Sequence, residues 1–262
     1  MEKTKSKESE RLNASLIISL RILEFLEETE QPASLAEIRK KLALNKSRVM
    51  RLCGTLEHMG YLKHDQEAGV YCLGPKLFSL GKAYERQTPI IEAIRPVLKT
   101  MVANLQETAS FHVLRGQRRL CLCAEESPHQ VRYTMKEGSE GPYPYGSIWK
   151  VIMAWGPEGL KEKILSEVPF EPETPFSIVS GKALSDIVQI TKEKGYCHTN
   201  GDHDVGSSAV AAPVLDQDGH LLGVLCLSGI SERMNGTFLE KAVPILKEKA
   251  AQLSILLKGR SI

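Results

Sequence analysis

Apolar residues in the N-terminal part of the chain recur every three or four positions, which is the spacing of amphipathic helices. The first run predicts a helix over residues 13–28 and consists of Leu16, Ile17, Leu20, Leu23 and Leu26. "QPAS" ends this helix, and Ser34 is placed to cap a second helix, "LAEIRKKL", with Glu37 at the capping-box position. A third helix follows the turn "ALN" within "LNKSRVMRLCGTLEHMGYL", residues 44–62.

The segment after the third helix alternates like a β-hairpin. Gly60 is a helix stop, and "YLKHDQEAGVYCLG" alternates, turns at "DQEAG" and alternates again. Three helices followed by a hairpin describe a winged helix-turn-helix, in which the third helix enters the major groove of DNA. A helical hairpin packed inside a larger α-domain is the alternative interpretation of the same pattern.

The predicted exposed face of the third helix is basic and small. From Arg39 to Lys63 there are seven Lys or Arg residues and one acid, Glu57. Carboxylates would repel phosphates, and Gly54 would let the helix approach a duplex closely. A solvated basic face would show the same excess, but we favour double-stranded DNA as the partner. The predicted DNA-binding residues are Ser34, Asn45, Lys46, Ser47, Arg48, Arg51 and Lys63.

The spacing of apolar residues changes after the hairpin. "GPKLFSLGKAYERQ" predicts a linker helix over residues 75–87, with Leu77, Leu80 and Tyr84 as its dimer-forming face. From residue 88, helical segments alternate with strand-like runs that include "VRYTM", and "DQDG" predicts a tight turn between the last two strands. Helices on an antiparallel sheet describe an α+β domain. The predicted domains are residues 1–74, the linker helix and residues 88–262.

Composition places the chain among globular proteins and leaves the partner open. The 262 residues are 42% hydrophobic and 25% charged, and the net charge is only +2. Six cysteines lie mostly in apolar runs without a disulfide framework, which favours reduced thiols and the cytoplasm. We expect residues 1–11 to be a disordered tail rather than a signal peptide, and no apolar run is long enough to span a bilayer.

Three segments in this order resemble the IclR-type bacterial transcriptional regulators. They are "LNKSRVMRLCGTLEHMGYL", "GVYCLGPKLFSLG" and "KGYCHTNGDHDVGSSAVAAPVLDQDGHLLGVLCLSG". The resemblance extends from about residue 13 to 258. It implies a winged helix-turn-helix, joined by the linker helix to a GAF-like α+β ligand-binding domain. It also implies a homodimer or homotetramer that binds operator DNA and responds to a small anionic metabolite.

The resemblance also implies where this effector binds. Free N–H groups of Gly146, Ser147 and Ile148 at a helix start would attract its carboxylate, while Asp202 would accept a hydrogen bond from it. Since a carboxylate beside an anion is repulsive, a ligand carrying both an acid and a donor fits better than a bare dicarboxylate. The predicted effector residues are Tyr145, Gly146, Ser147, Ile148, Trp149, Met153, Asp202, Pro213, Cys226 and Ser228.

Three residues depart from the family pattern. Ala43 stands where the family usually has Gly, and Arg48 where it has Thr, so Arg48 is expected to alter base preference. Trp149 replaces the Gly before the Lys of the family's "GKALLA" segment. A tryptophan there would either fill the effector pocket or form one of its walls.

Other chemistry is less well supported by the sequence. "HTNGDHD", residues 198–204, contains potential metal ligands at no familiar spacing, and "SIWK" matches Ser-x-x-Lys without its companion motifs. We therefore predict no metal, no cofactor and no catalytic residues. Two alternatives remain, a redox-sensing regulator that uses Cys197 or Cys226, and a small-carboxylate enzyme fused to a nucleic-acid module.

Overall fold

The computed structural model describes residues 12–29, 31–141, 145–167, 170–172 and 174–259. The chain separates into two compact units, Met1–Gln87 and Thr88–Ile262. The predicted tail, residues 1–11, lies outside the described residues. No helix in the described ranges is long and apolar enough to cross a membrane.

The N-terminal unit is three helices, a small sheet and a fourth helix. Its elements are α1 (Ala14–Thr29), β1 (Ala33–Ser34), α2 (Leu35–Leu42), α3 (Lys46–His58), β2 (Leu62–Asp65), β3 (Val70–Leu73) and α4 (Pro75–Gln87). The strands form an antiparallel sheet in the order β1-β3-β2. The predicted hairpin is β2–β3, and β1 adds a short third strand that the sequence pattern did not indicate.

The core of this unit comes from the apolar stripes of its first three helices. Ile22 of α1, Ile38 of α2, and Val49 and Cys53 of α3 are fully buried. Leu62 of β2 packs into the same cluster. Because α3 uses its Val49–Cys53 side for packing, its opposite side is free to face solvent.

Two side chains set the starts of α2 and α3. Ser34 and Glu37 form a capping box, in which the Ser34 hydroxyl accepts from the Glu37 amide and the Ser34 amide donates to Glu37 Oε2. Asn45 Oδ1 accepts from the Arg48 amide at 2.9 Å. Between the helices, Ala43 takes a left-handed conformation with φ 52°. The turn of the helix-turn-helix is therefore fixed by local hydrogen bonds.

The C-terminal unit is a six-stranded antiparallel sheet with helices on both faces. Its elements are α5 (Pro89–Leu105), β4 (Thr108–Arg115), β5 (Arg118–Glu125), β6 (Glu140–Gly141), α6 (Gly146–Trp155), α7 (Leu160–Glu167), α8 (Gly181–Lys194), β7 (Cys197–Asn200), β8 (Ser207–Leu215), β9 (Leu221–Ile230) and α9 (Gly236–Leu256). The strand order is β6-β5-β4-β9-β8-β7. The predicted fold class, an N-terminal winged helix-turn-helix and a C-terminal α+β domain, is confirmed.

The two faces of this sheet have separate cores. Helices α5 and α9 cover one face, where Phe111, Val210 and Leu225 are buried. Helices α6, α7 and α8 cover the other face, where Ala211, Val224 and Cys226 are buried. Helix α6 is enclosed on nearly every side, since eight of its residues are buried. Its N-terminus is thus held rigidly against the sheet.

Two strand predictions were wrong. "VRYTM" is not a strand, and instead its Tyr133 carbonyl accepts a hydrogen bond from Thr108 Oγ1 at 2.6 Å. Simple alternation along β5 predicts that Cys121 and Cys123 share a face, but the β4–β5 register shifts between Phe111 and His112, so Cys123 is opposite Phe111 while Cys121 is opposite His112. A β-bulge of this kind reverses the alternation, because one strand contributes an extra residue.

Candidate functional site

The exposed side of α3 is the candidate DNA-binding face. Lys46, Ser47 and Arg51 are exposed, as is Lys63 on β2, whereas Arg48 is half-buried. Ser34 and Asn45, also predicted to bind DNA, use their side-chain oxygens for the helix caps described above. The side chains that are free to reach a phosphate or a base edge are therefore the basic residues of α3 and of the wing.

The C-terminal unit contains a small cavity of about 60 Å³ beside the N-terminus of α6. Six of the ten predicted effector residues line it, namely Tyr145, Gly146, Ser147, Ile148, Asp202 and Ser228. The remaining wall comes from residues that the sequence reasoning missed, among them Arg119, Tyr133, Met135, Thr199 and Ser208. The cavity wall thus combines apolar surface with two charged side chains, Arg119 and Asp202.

Asp202 uses one carboxylate oxygen for the protein itself. Its Oδ2 accepts from the Gly146 amide, with 2.8 Å between nitrogen and oxygen, and also pairs with Lys150 Nζ. Both side chains of this ion pair are buried. The first free amide of α6 is therefore satisfied by Asp202 rather than left open for a ligand.

Arg119 brings a second charge to the cavity and is held by a chain of hydrogen bonds. Its Nη1 donates to His112 Nδ1 at 3.4 Å, and His112 Nε2 lies 2.8 Å from Ser110 Oγ. Since arginine can only donate, His112 must accept at Nδ1, and its Nε2–H therefore donates to Ser110. Burial and the Arg119 charge lower the pKa of His112 well below its usual value, so this imidazole is neutral.

Cys226 lies beneath the cavity rather than in its lining. Its Sγ is 3.4 Å from Ser228 Oγ and 3.9 Å from Ser147 Oγ, and the side chain is fully buried. Burial raises the pKa of both Cys226 and Cys197 above the usual thiol value. Reactive sensor cysteines need a lowered pKa and access to solvent, so this environment argues against the redox alternative.

Three predicted effector residues lie away from the cavity lining. Trp149 is buried and donates from Nε1 to the Gly141 carbonyl of β6 at 3.2 Å, so it neither fills the cavity nor walls it. Met153 lies two helical turns beyond the start of α6, within the apolar cluster. Pro213 is opposite Val224, whereas Ala209 and Ala211 are the residues opposite Ser228 and Cys226. The prediction had therefore placed the neighbouring position on β8 too far along the strand.

Other predicted chemistry has a structural explanation. Within residues 198–204, His198 Nε2 bonds to Ser208 Oγ at 2.9 Å and Asp202 is held by Lys150, so these groups do not converge on one point. In the described part of the chain, the groups close enough to share a cation are the surface residues Asp216, Asp218 and His220. The lysine of "SIWK" is committed to its ion pair with Asp202.

Helix α4 exposes an apolar surface. It has no buried residue, and Phe78, Leu80 and Tyr84 are 71%, 44% and 51% exposed. Leu77, the third residue of the predicted dimer face, is half-buried. Phe78 was missed by the sequence reasoning, which followed the Leu77–Leu80–Tyr84 spacing.

Comparison with protein families agrees with both units. The family model for the IclR helix-turn-helix domain matches residues 15–66, and the model described as bacterial transcriptional regulator IclR C-terminal matches residues 82–255. The chain therefore belongs to the IclR family of bacterial transcriptional regulators, and the resemblance found in the sequence is confirmed. Its N-terminal unit is the family's DNA-binding helix-turn-helix.

Individual relatives support the same assignment. The HTH-type transcriptional regulator BhcR of Paracoccus denitrificans is 29% identical over 84% of this chain and 79% of its own length. The crystal structure of an IclR-type regulator from Alicyclobacillus acidocaldarius is 28% identical, covers 93% of this chain and 98% of its own, and superposes with a TM-score of 0.84. An IclR homologue from Microbacterium hydrocarbonoxydans, complexed with 4-hydroxybenzoate, shares the fold at 20% identity, with 92% and 98% of the two chains covered and a TM-score of 0.78.

Proposed function

We propose that this protein is a one-component regulator whose operator affinity is set by a small anionic organic acid bound in the C-terminal unit. The observation that carries the proposal is the cavity at the start of α6, which contains the charged residues Arg119 and Asp202. Buried charges are costly in a protein interior, and charged groups that line a cavity mark a candidate binding site.

The structural relatives support a ligand-binding role for this unit. The Microbacterium hydrocarbonoxydans homologue was solved with an aromatic hydroxy acid, 4-hydroxybenzoate. We infer that the same kind of unit binds an acid in this protein, with Ser147 and Ser228 as neutral hydrogen-bonding groups in the wall. Cys226, directly beneath these two serines, would support their positions.

On the DNA side, we propose that α3 enters the major groove and that the wing contacts the phosphate backbone. Arg51, being fully on the exposed side, would contact a phosphate or a base edge, and Arg48 would contribute to base preference. We propose Lys46, Ser47 and Lys63 as phosphate contacts, while Ser34 and Asn45 would act near the DNA through their helix caps.

We further propose that the protein is a homodimer or homotetramer. One winged helix offers few contacts, and paired half-sites on DNA are matched by a two-fold protein. The exposed apolar residues Leu80 and Tyr84, which share one face of α4 with the half-buried Leu77, are the surface through which two copies would associate. The boundaries we propose for this organisation are residues 1–74, 75–87 and 88–262.

The test measures DNA binding with and without an effector. Duplexes selected from a random library would supply the operator sequence, and a thermal-shift screen of small carboxylic acids would supply the ligand, because a ligand that binds only the native state raises the melting temperature. Fluorescence anisotropy would then give operator affinity with and without that acid. We expect the acid to change the operator Kd at least fivefold, the lower end of typical allosteric coupling (about 1 kcal/mol).

Ser228→Leu is the matched variant, because it fills the cavity from β9 and leaves the sequence of the N-terminal unit unchanged. It should bind operator DNA normally and lose the response to the acid. An acid that still binds and shifts operator affinity equally in Ser228→Leu would place the effector site elsewhere. Failure to select any preferred duplex would contradict the DNA-binding part of the proposal.

A further inference from the structure

Three buried polar atoms of residues that line the cavity lack hydrogen-bond partners among the described residues, namely Arg119 Nε, Asp202 Oδ1 and His203 Nδ1. His203 Nδ1 lies 3.1 Å from the Asp204 carboxylate, whereas Arg119 Nε and Asp202 Oδ1 have no such neighbour. No carboxylate in that part of the chain pairs with Arg119, whose hydrogen bond goes to the neutral His112. Buried polar atoms are nearly always satisfied, so an orphaned donor and an orphaned acceptor in the lining of one cavity need an explanation.

The structure has several features that place the Arg119 guanidinium at this position. The bulge opposite His112 turns Arg119 onto the α6 face of the sheet, the same face as His112 and Cys121. Gly141 lies directly across from Arg119 on β6, where a Cβ would overlap the guanidinium. Trp149 holds the Gly141 carbonyl in place. The position of Arg119 is therefore enforced by three separate elements.

The charges in the cavity wall do not cancel. Asp202 is neutralised by Lys150, whereas Arg119 has no acidic partner in the ranges that the structure describes. Burial alone is the main cause that lowers the pKa of Arg119, which nevertheless stays charged because guanidinium is so basic. One excess positive charge is neutralised by one negative charge, which favours a monoanion over a dianion.

The size of the cavity limits the ligand further. Its volume is about 60 Å³. An engineered cavity that holds benzene, with its six carbon atoms, measures about 150 Å³, so this cavity favours the smallest acids and does not accept the ten non-hydrogen atoms of 4-hydroxybenzoate without a large rearrangement. Trp149, which was expected either to fill the pocket or to form one of its walls, does not reach the cavity.

We propose that Arg119 is the residue that binds the effector's carboxylate, and that the effector is a short monocarboxylic acid carrying a hydroxyl or amino group for Asp202 Oδ1. The proposal rests on the effector cavity of the proposed function and specifies its ligand. Arg119 takes the role that the amides at the start of α6 were expected to have, since Asp202 already occupies the first of them.

The experiment screens a defined panel against the full-length protein. The panel contains the two-carbon hydroxy and amino monocarboxylates, their three- and four-carbon homologues as a size series, the neutral amide of each, and 4-hydroxybenzoate as a larger acid. We expect at least one short acid to raise the melting temperature, by roughly 5–10 °C at about one hundred times its Kd. Its amide and 4-hydroxybenzoate should not raise it.

The variants test Arg119 itself. Arg119→Gln should weaken binding of the acid at least tenfold, measured by calorimetry, while the unliganded variant melts at the same temperature as the wild type or higher, because an unpaired buried charge has been removed. A residue with a merely structural role would lower that melting temperature. Arg119→Lys should bind with intermediate affinity. Gly141→Ala keeps the charge but displaces it, and should also weaken binding.

Arg118→Gln is the matched control, since Arg118 is the neighbouring residue on β5 and is 68% exposed in its ion pair with Glu140. It should bind the acid as the wild type does. Equal binding by Arg119→Gln and wild type would overturn the inference, and so would a panel without any acid that binds. Binding that depends on Arg119 but leaves operator affinity unchanged would refute the proposed regulation and leave the inference standing.

Discussion

Asp202 caps the helix start at Gly146, with 2.8 Å between its Oδ2 and the Gly146 amide nitrogen. Helix N-termini attract anions because their first amides are unpaired and the helix dipole is positive there. In this protein the anion is supplied by the chain, and Lys150 on the next turn of α6 compensates its charge. The buried pair thus closes the end of α6 from inside the unit.

Removing one member of this pair should be strongly destabilising. Lys150→Met leaves the Asp202 carboxylate buried without its counter-ion, and we expect a loss of about 3–5 kcal/mol in the free energy of unfolding. The double variant Lys150→Met/Asp202→Leu should recover much of this loss. Urea unfolding followed by tryptophan fluorescence checks the prediction, because both tryptophans, Trp149 and Trp155, belong to the C-terminal unit.

Lys163→Met provides the matched control. Lys163 pairs with Glu167 at 3.8 Å on α7, and both side chains are more than 40% exposed. Removing an exposed ion pair of this kind should cost less than about 1 kcal/mol. Similar losses for Lys150→Met and Lys163→Met would show that the buried pair has no special role.

The two arginines of α3 should differ in how they affect DNA binding. Arg48→Ala should cost roughly 1–3 kcal/mol on the preferred operator and relax the preference at one base position. Arg51→Ala should weaken binding to all sequences and reduce the salt dependence of log K by about one counterion if Arg51 contacts a phosphate. Anisotropy titrations on selected and random duplexes, at several salt concentrations, separate the two effects.

Lys192→Ala is the matched control for both variants. Lys192 is an exposed lysine of α8 in the C-terminal unit, so this variant removes one positive charge outside the DNA-binding unit. It should leave operator affinity unchanged. If Arg48→Ala lowers affinity equally on selected and random duplexes, Arg48 does not read a base.

The sequence was sufficient to predict the N-terminal unit because its signals are local. Helical spacing placed α1 and α3 to within two residues, and Ser34 with Glu37 identified the capped start of α2. The exposed residues of α3 follow from the same spacing, since a helix that buries Val49 and Cys53 must expose Arg51 on its other side. Only the two-residue strand β1 was absent from the pattern.

The cavity was harder to predict because it depends on strand pairing. Alternation along "RLCLCAE" places Arg119 on the same face as Cys121 and Cys123, but the bulge sends Cys123 to the opposite face. The bulge arises from the pairing of β4 with β5, and a sequence read one strand at a time does not show it. One signal in the sequence pointed to Arg119, because it is a charged residue directly before the apolar run 120–124 of β5. Pro213 was misplaced for a related reason, since the register of β8 against β9 decides which residue faces Cys226.

The apolar face of α4 should determine the oligomeric state. The double variant Leu80→Asp/Tyr84→Asp places charges on two side chains that are 44% and 51% exposed and lie one helical turn apart on the same face, and we expect it to shift the protein from dimer to monomer. Sedimentation at micromolar concentration measures the change. Ser79→Asp adds a charge on another side of the same helix and should leave the assembly intact. A wild type that sediments as a monomer, alone and on operator DNA, contradicts the dimer.

Ala43→Gly should stabilise the N-terminal unit. Ala43 ends α2 in the left-handed region, with φ 52°, which costs an L-residue roughly 1–2 kcal/mol and glycine almost nothing. Because glycine also gains freedom in the unfolded chain, the expected net gain is about 0.5–1 kcal/mol. Circular dichroism during urea unfolding follows the helices of both units, and tryptophan fluorescence, which the N-terminal unit lacks, identifies the transition of the C-terminal unit, so the two signals together report the N-terminal unit. Ala83→Gly, within α4, should instead cost about 1 kcal/mol. A loss of stability in Ala43→Gly would mean that the methyl group has packing contacts that outweigh its strain.

The buried His112 should make the C-terminal unit sensitive to mild acid. Burial and the Arg119 charge lower the pKa of His112 well below 6.5. An unfolded chain would protonate this imidazole near its ordinary pKa, so below about pH 6.5 the unfolded state binds more protons and stability falls as pH falls; above that pH the full stability is present. His112 adds a slope of about 1.4 kcal/mol per pH unit between its folded and unfolded pKa values. His112→Gln should therefore remove most of this slope between pH 5.5 and 6.5, as measured by urea unfolding with tryptophan fluorescence. His112→Gln also alters the hydrogen bonds to Arg119 and Ser110, which can lower the free energy of unfolding by a constant amount at every pH. The slope of stability against pH does not depend on that constant. An unchanged slope in His112→Gln would show that His112 is not held neutral in the folded protein.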